Sequence, residues 1–181
     1  LINQTHQNWE LHLVHDGPNT TKLKDLISVI NDRRIIYSES PKHLGNWGHF
    51  YRQQFLKDMK QREDVDYVVI TNADNHLVPV FLEYLLNGFK EDTTVATYCN
   101  EMVHSYNSTH QTAFITPKAS SFSPLTWEEY KWGIIPCKLE RGYIDCSGIM
   151  IRKDAACDVG WRSMEHSSDW TYIEDDIKKY G

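Results

Sequence analysis

Residues 10–16, Glu-Leu-His-Leu-Val-His-Asp, alternate apolar and polar side chains and run into Gly17-Pro18-Asn19, which predicts a strand ending in a sharp turn. Leu23, Leu26, Ile27 and Ile30 fall at helical spacing, so an amphipathic helix is expected over 21–32. A short strand over 34–38 and a helix over 47–60, with Phe50, Phe55 and Met59 on its apolar side, continue the alternation. Residues 66–71, Asp-Tyr-Val-Val-Ile-Thr, are almost continuously apolar, the pattern of a strand covered on both faces, and are read as the central strand of a parallel sheet. A helix then carries Phe81, Leu82, Leu85, Leu86 and Phe89, and a strand is expected over 93–99.

After Asn100 both periodicities fade into polar and aromatic residues as far as Trp132, a stretch read as loops, short strands and one short helix. Regularity returns as a strand over 143–151 and a closing helix with Trp170, Ile173, Ile177 and Tyr180 on one face. The opening Leu1-Ile2 has no capping signal ahead of it, which suggests that the chain starts inside a helix, with an upstream strand lying outside it. The order βαβαβαβ followed by an irregular half predicts a three-layer α/β domain with parallel early strands and ligands at the strand carboxyl ends.

The length of 181 residues corresponds to one domain with a sizeable core. Nineteen Lys and Arg against 25 Asp and Glu leave a formal charge of −6, which argues against a nucleic-acid phosphate binder. No apolar run approaches the length of a membrane span, so a soluble protein is expected, and the cysteine usage places it in the cytoplasm, with the inner face of the membrane as a place of work. Cys99, Cys137, Cys146 and Cys157 show no C-x-x-C spacing and fit reduced thiols better than a disulfide framework. The sequons at Asn3, Asn19 and Asn107 have no signal peptide before them and are read as chance.

Candidate chemistry lies at the strand exits. Asn72, Asp74 and Asn75 bear oxygens suited to a hard cation, Mg²⁺ or Mn²⁺, completed by substrate phosphates; alternatively they build the turn after the strand. Asp16 before Gly17 can accept from a base or ribose, or simply end a strand. Arg52 follows the Gly-rich Gly45-Asn46-Trp47-Gly48-His49 and can point at phosphate, or stand as a surface charge. Asp169, beside His166, Ser167 and Ser168, suits a general base at a helix start. Taken alone, capping by Ser168 or Asp169, with Thr171 and Glu174 at capping-box spacing, is the simpler reading of that segment. His104 and His166 are candidate ligands, and Trp127 and Trp132 can stack on sugar rings or fill a core.

Taken together, these residues resemble the family 2 glycosyltransferases. Leu1-Ile-Asn-Gln-Thr-His-Gln-Asn-Trp-Glu10 looks like the family's opening "QT..n.E" segment, His12-Leu-Val-His-Asp16-Gly17 like its "vvdDGS" strand end, and Gly45 to Arg52 like "G...aRN". Val69-Ile-Thr-Asn-Ala-Asp74-Asn75, with Pro79 and Leu82-Glu83 following, looks like "flDaDD". Ser147-Gly-Ile-Met-Ile-Arg152 with Gly160, and Ser168-Asp169-Trp170 onward, look like "gs.mirr" and "eDwdl". His15, Asn72 and Ser168 stand where the pattern is usually acidic, and the family's first strand, with its "P-x-Y-N" turn, has no counterpart.

The resemblance implies a three-layer nucleotide-diphospho-sugar transferase (glycosyltransferase A) fold with a central, mostly parallel mixed sheet. It implies one domain over 1–181, with 1–100 as the nucleotide-binding half and 101–181 as the acceptor and catalytic-base half. Asp16, Arg52 and Asn72 would bind nucleotide, Asp74 a divalent metal, and Asp169 would deprotonate the acceptor hydroxyl. The implied reaction is inverting transfer from a nucleotide-diphosphate sugar, such as a uridine diphosphate (UDP) sugar, to a glycan or lipid-linked acceptor, as in polysaccharide biosynthesis. Trp127 and Trp132 are placed in the acceptor region. A nucleotidyltransferase on a similar fold and an inactive sugar-binding module are the alternatives.

Overall fold

The computed structural model describes residues 1–18, 22–73, 75, 77–107 and 130–181, with 101–107 and 130–136 described by their backbone. The elements are β1 (Leu11–His15), α1 (Leu23–Ile30), β2 (Ile35–Glu39), α2 (His49–Met59), β3 (Tyr67–Val68), α3 (Phe81–Leu86), β4 (Ala96–Tyr98), β5 (Glu101–Asn107), β6 (Tyr130–Pro136), β7 (Ile149–Arg152), α4 (Lys153–Val159) and α5 (Ser168–Tyr180). The chain is thus mixed α/β. Among the described residues the strands form three sheets: a parallel pair β1–β2, an antiparallel sheet in the order β3–β7–β4, and the antiparallel pair β5–β6.

The expected parallel pairing of the early strands is present, with Leu11 opposite Ile35 and His15 opposite Glu39. The expected central strand is not where the apolar run predicted it. β7 occupies the middle of the three-stranded sheet, and β3 pairs antiparallel to it only through Tyr67 with Arg152 and Val68 with Ile151. Residues 69–71 leave the ladder, and Val69, Ile70 and Thr71 line a cavity of about 820 Å³ that also borders Leu11 and Leu13 of β1.

Around β7 the layers are those of a sheet covered on both faces. Ile149 and Ile151 join Leu56 of α2, Ala155, Ala156 and Val159 of α4, and Tyr172 and Ile173 of α5 in one buried cluster. Met150, pointing the opposite way along the strand, joins Phe81, Leu82 and Leu85 of α3. Helix α4 was not anticipated, because its seven residues bury only Ala155, Ala156 and Val159, too short and small a set to give an amphipathic signal. The expected strand over 143–151 shortens at its start, where residues Cys146–Gly148 form a 3-10 turn capped by Asp145.

The chain does not open in a helix; no helix or strand covers residues 1–10. Instead this segment is anchored to α3 by its side chains. The Gln4 amide donates to the Val78 carbonyl at 2.7 Å and its oxygen accepts from the Leu82 N–H at 2.9 Å, satisfying a first-turn donor that a local cap would otherwise take.

Asp176 on α5 is the least comfortable buried group. It is 4% exposed, its Oδ1 has no hydrogen-bond partner, and burial pushes its carboxyl up to about 6. The folded state therefore binds this proton more tightly than the unfolded chain, so its cost is present above the folded pKa and relieved as pH falls toward 4. At pH 7 the burden is on the order of 3 kcal/mol. Asp176→Asn is expected to be the more stable protein at pH 7, to keep about half of that advantage at pH 5 and to lose most of it by pH 4, read from paired denaturation midpoints. An advantage that does not change with pH would refute the assignment.

Candidate functional site

The site grows out of the loop after β2. Gly45, Asn46, Trp47 and Gly48 all have positive φ, at 70°, 52°, 51° and 77°. For Asn and Trp that backbone costs about 1–2 kcal/mol each and needs outside support. Asp16 supplies it from the end of β1. Its Oδ1 accepts from the Leu44 N–H at 2.8 Å and the Tyr51 hydroxyl at 2.7 Å, and its Oδ2 accepts from the Gly45 N–H at 2.8 Å. Burial raises its carboxyl, but these donors, with His43 at 3.1 Å, outweigh it and hold the group below the ordinary carboxylate range. Both oxygens are thus committed to the chain itself, and Asp16 acts here by shaping the loop.

That loop ends by starting α2, which carries His49 and Arg52. The Arg52 guanidinium is held on three sides: Nη1 donates to His49 Nδ1 at 3.2 Å, Nη2 donates to Asn72 Oδ1, and Cζ lies 4.8 Å from the centre of the Trp161 ring. Since Arg only donates, His49 Nδ1 must be the acceptor and the ring proton must sit on Nε2. Burial, then the charge of Arg52, lowers the His49 pKa and favours this neutral form. His49 is 2% exposed and stacks on Trp161 with ring centres 5.5 Å apart.

Asp169 stands in the first turn of α5, half-buried. The capping reading does not hold: Ser167, at the cap position, makes no side-chain capping bond. The Ser168 hydroxyl instead donates back to the Glu165 carbonyl, and the Thr171 hydroxyl donates to the Ser167 carbonyl at 3.3 Å. Among the described residues the Asp169 carboxylate has neither a hydrogen bond nor an ion pair, whereas Asp16, Asp145 and Asp175 are all engaged. Its charge acts on the same two groups as that of Arg52, the His49 ring and the Cys146 thiol. Arg52 from the first half of the chain and Asp169 from the second thus both act on His49 and Cys146, and of the two Arg52 lines the cavity of about 820 Å³.

Sequence reading missed three members of this region. His49 fixes Arg52, Asp145 caps the turn beside Cys146, and Trp47, 63% exposed, stands edge-on to His166 with ring centres 5.4 Å apart. The clue available for Trp47 was its place between two glycines. Other expectations fall elsewhere. Asp74 and Trp127 lie outside the described residues, as do the side chains of Trp132 and His104, although the latter two sit on β6 and β5. Among the described residues no three His, Cys, Asp or Glu side chains are grouped to hold a metal, and Asn72 spends its oxygen on Arg52. No helix among them is long and apolar enough to cross a membrane.

Comparison of the sequence with protein-family models and with curated proteins finds no match.

Proposed function

We propose that this chain is an inverting glycosyltransferase of the glycosyltransferase A type, moving a sugar from a nucleotide-diphosphate donor to an acceptor hydroxyl. The observation that carries the reading is the pairing of an immobilised cation with an unspent carboxylate. Arg52 is pre-oriented by Asn72, His49 and Trp161, and Asp169, whose charge reaches the same His49 ring, has no partner among the described residues. The two complementary groups match the two charge movements of a single displacement.

In that displacement Asp169 takes the proton of the acceptor hydroxyl as its oxygen forms the new bond to the anomeric carbon. The bond from that carbon to the donor diphosphate breaks on the opposite face, inverting the configuration. Arg52 offsets the charge left on the departing diphosphate, with no reorganisation needed at the moment of reaction. A divalent cation, Mn²⁺ or Mg²⁺, would supply further neutralisation of the diphosphate, and Asp74 is the residue assigned to it by the sequence resemblance. The donor is taken to be a UDP sugar and the acceptor a glycan or lipid-linked hydroxyl, with the reaction on the cytoplasmic side. The competing reading, an inactive nucleotide or sugar module, draws on Asn72, whose oxygen is spent on Arg52 where the family carries an acid.

The test is calorimetric titration of UDP with and without Mn²⁺ against the native chain and Asp74→Ala. Binding is expected to strengthen at least tenfold with Mn²⁺ in the native chain and to lose that dependence in the variant. Absence of UDP binding under all conditions would remove the transferase reading.

A further inference from the structure

Cys99 and Cys137 stand 38 positions apart in sequence, but their sulfurs are 3.6 Å apart. The topology explains the encounter. Cys99 follows β4 and leads into β5, and Cys137 directly follows β6, so the two flank the base of the β5–β6 pair, where Glu101 is opposite Pro136. Both backbones are pinned: the Cys99 N–H donates to the Gly148 carbonyl at 2.9 Å, and the Cys137 N–H donates to the Asn100 carbonyl at 2.8 Å. Gly148 keeps room for the sulfur, since a Cβ there would stand 3.0 Å from Cys99 Sγ. The gap to a disulfide bond is about 1.5 Å, within the swing of a cysteine side chain on a fixed backbone.

We propose that Cys99 and Cys137 are a disulfide-forming pair that closes the base of the β5–β6 hairpin, oxidised by exchange with a small-molecule disulfide of the glutathione type. The step balances without any other reactant. Cys99, the more accessible of the two, loses its proton and attacks one sulfur of oxidised glutathione, expelling one glutathione thiolate. Cys137 then loses its proton and attacks the Cys99 sulfur of the mixed disulfide, expelling the second glutathione. Two protein thiols become one disulfide, one glutathione disulfide becomes two thiols, and the two protons end on glutathione. The product joins the outer ends of β5 and β6 covalently beside the existing hydrogen bond from the Cys99 N–H to the Gly148 carbonyl, which ends the turn that Asp145 caps.

The other two cysteines do not meet this description. Cys146 is 1% exposed, with burial pushing its thiol up to about 12, and Cys157 lies on α4 among the helices. Burial raises the Cys99 thiol as well, so exchange accelerates with pH, by up to about tenfold per unit while the thiolate is the minor form.

The experiment incubates the full chain with oxidised glutathione, quenches in acid, alkylates under denaturing conditions and maps the peptides by mass spectrometry. Alkylatable cysteines are expected to fall from four to two, with Cys146 and Cys157 labelled, a peptide link between Cys99 and Cys137, and return to four after dithiothreitol. Cys157→Ser should leave the link intact, and Cys137→Ser should hold glutathione on Cys99 as a mixed disulfide. If Cys137→Ser does not fold, the peptide map of the native chain decides alone. Four labelled cysteines, a glutathione adduct that persists on native Cys99, or a link between any other pair would overturn the proposal.

Discussion

Asp169→Asn is expected to lower sugar-transfer turnover by about 10³-fold while leaving UDP affinity within about twofold of the native value. The amide keeps the size and the hydrogen-bonding reach of the carboxylate but cannot accept a proton, and removal of a positioned general base costs about 10²–10⁴-fold. The near-isosteric change also protects the fold. Among the described residues the Asp169 side chain bonds to nothing, so no internal contact is broken, and the bonds that organise the start of α5 belong to Ser168 and Thr171. The comparison is therefore direct: initial rates with a donor sugar, a UDP titration and a thermal melt on the same two preparations. Turnover within tenfold of native would show that another group takes the proton. A turnover loss accompanied by an equal loss of UDP affinity would move Asp169 from the acceptor side to the donor side.

The sequence itself was a good guide to local structure and a poor one to assembly. Period and turn residues located β1, α1, β2, α2 and α5 within a few positions, because local periodicity and turn chemistry are recorded in each segment's own residues. The order of strands in the sheet is a different kind of fact. Residues 66–71 and Ile149-Met150-Ile151 are both short apolar runs, and that pattern reports cover on both faces without reporting which neighbours lie on either side. Long-range pairing gave the middle place to β7. The start of the chain was misread for a related reason: Leu1 and Ile2 looked like a helix fragment, while the decisive contacts were made by the polar Gln4 to Val78 and Leu82 across the fold.

The candidate site shows the same division. Asp16, Arg52, Asn72 and Asp169 could each be picked out as a chemically able residue at an element end, but whether such a residue is available depends on who else reaches it. Asp16 is consumed by Leu44, Gly45 and Tyr51, and Asn72 by Arg52. Asp169 is left over, although the capping residues around it suggested the opposite. His49 was passed over because a lone histidine carries no spacing signal; its value comes from lying one helical turn before Arg52 and against Trp161.

Arg52→Ala is expected to weaken UDP binding by about 10²-fold, and Arg52→Lys by about tenfold. The alanine figure follows from the 1.5–3 kcal/mol typical of a hydrogen bond to a charged group. The lysine variant separates charge from shape. It keeps the positive charge but has a single ammonium, which cannot bond His49 Nδ1 and Asn72 Oδ1 with separate nitrogens as Arg52 does, nor lay a planar face against Trp161. If the three-sided hold is what makes Arg52 useful to a diphosphate, charge alone should recover only part of the affinity. Thermal melts report the structural share: Arg52→Ala leaves His49 with no donor at Nδ1 in a buried setting, so a modest loss of about 1–2 kcal/mol should accompany the binding defect. Full recovery by lysine would reduce the role of Arg52 to its charge. Native-like UDP affinity in the alanine variant would place the diphosphate elsewhere and detach Arg52 from the proposed chemistry.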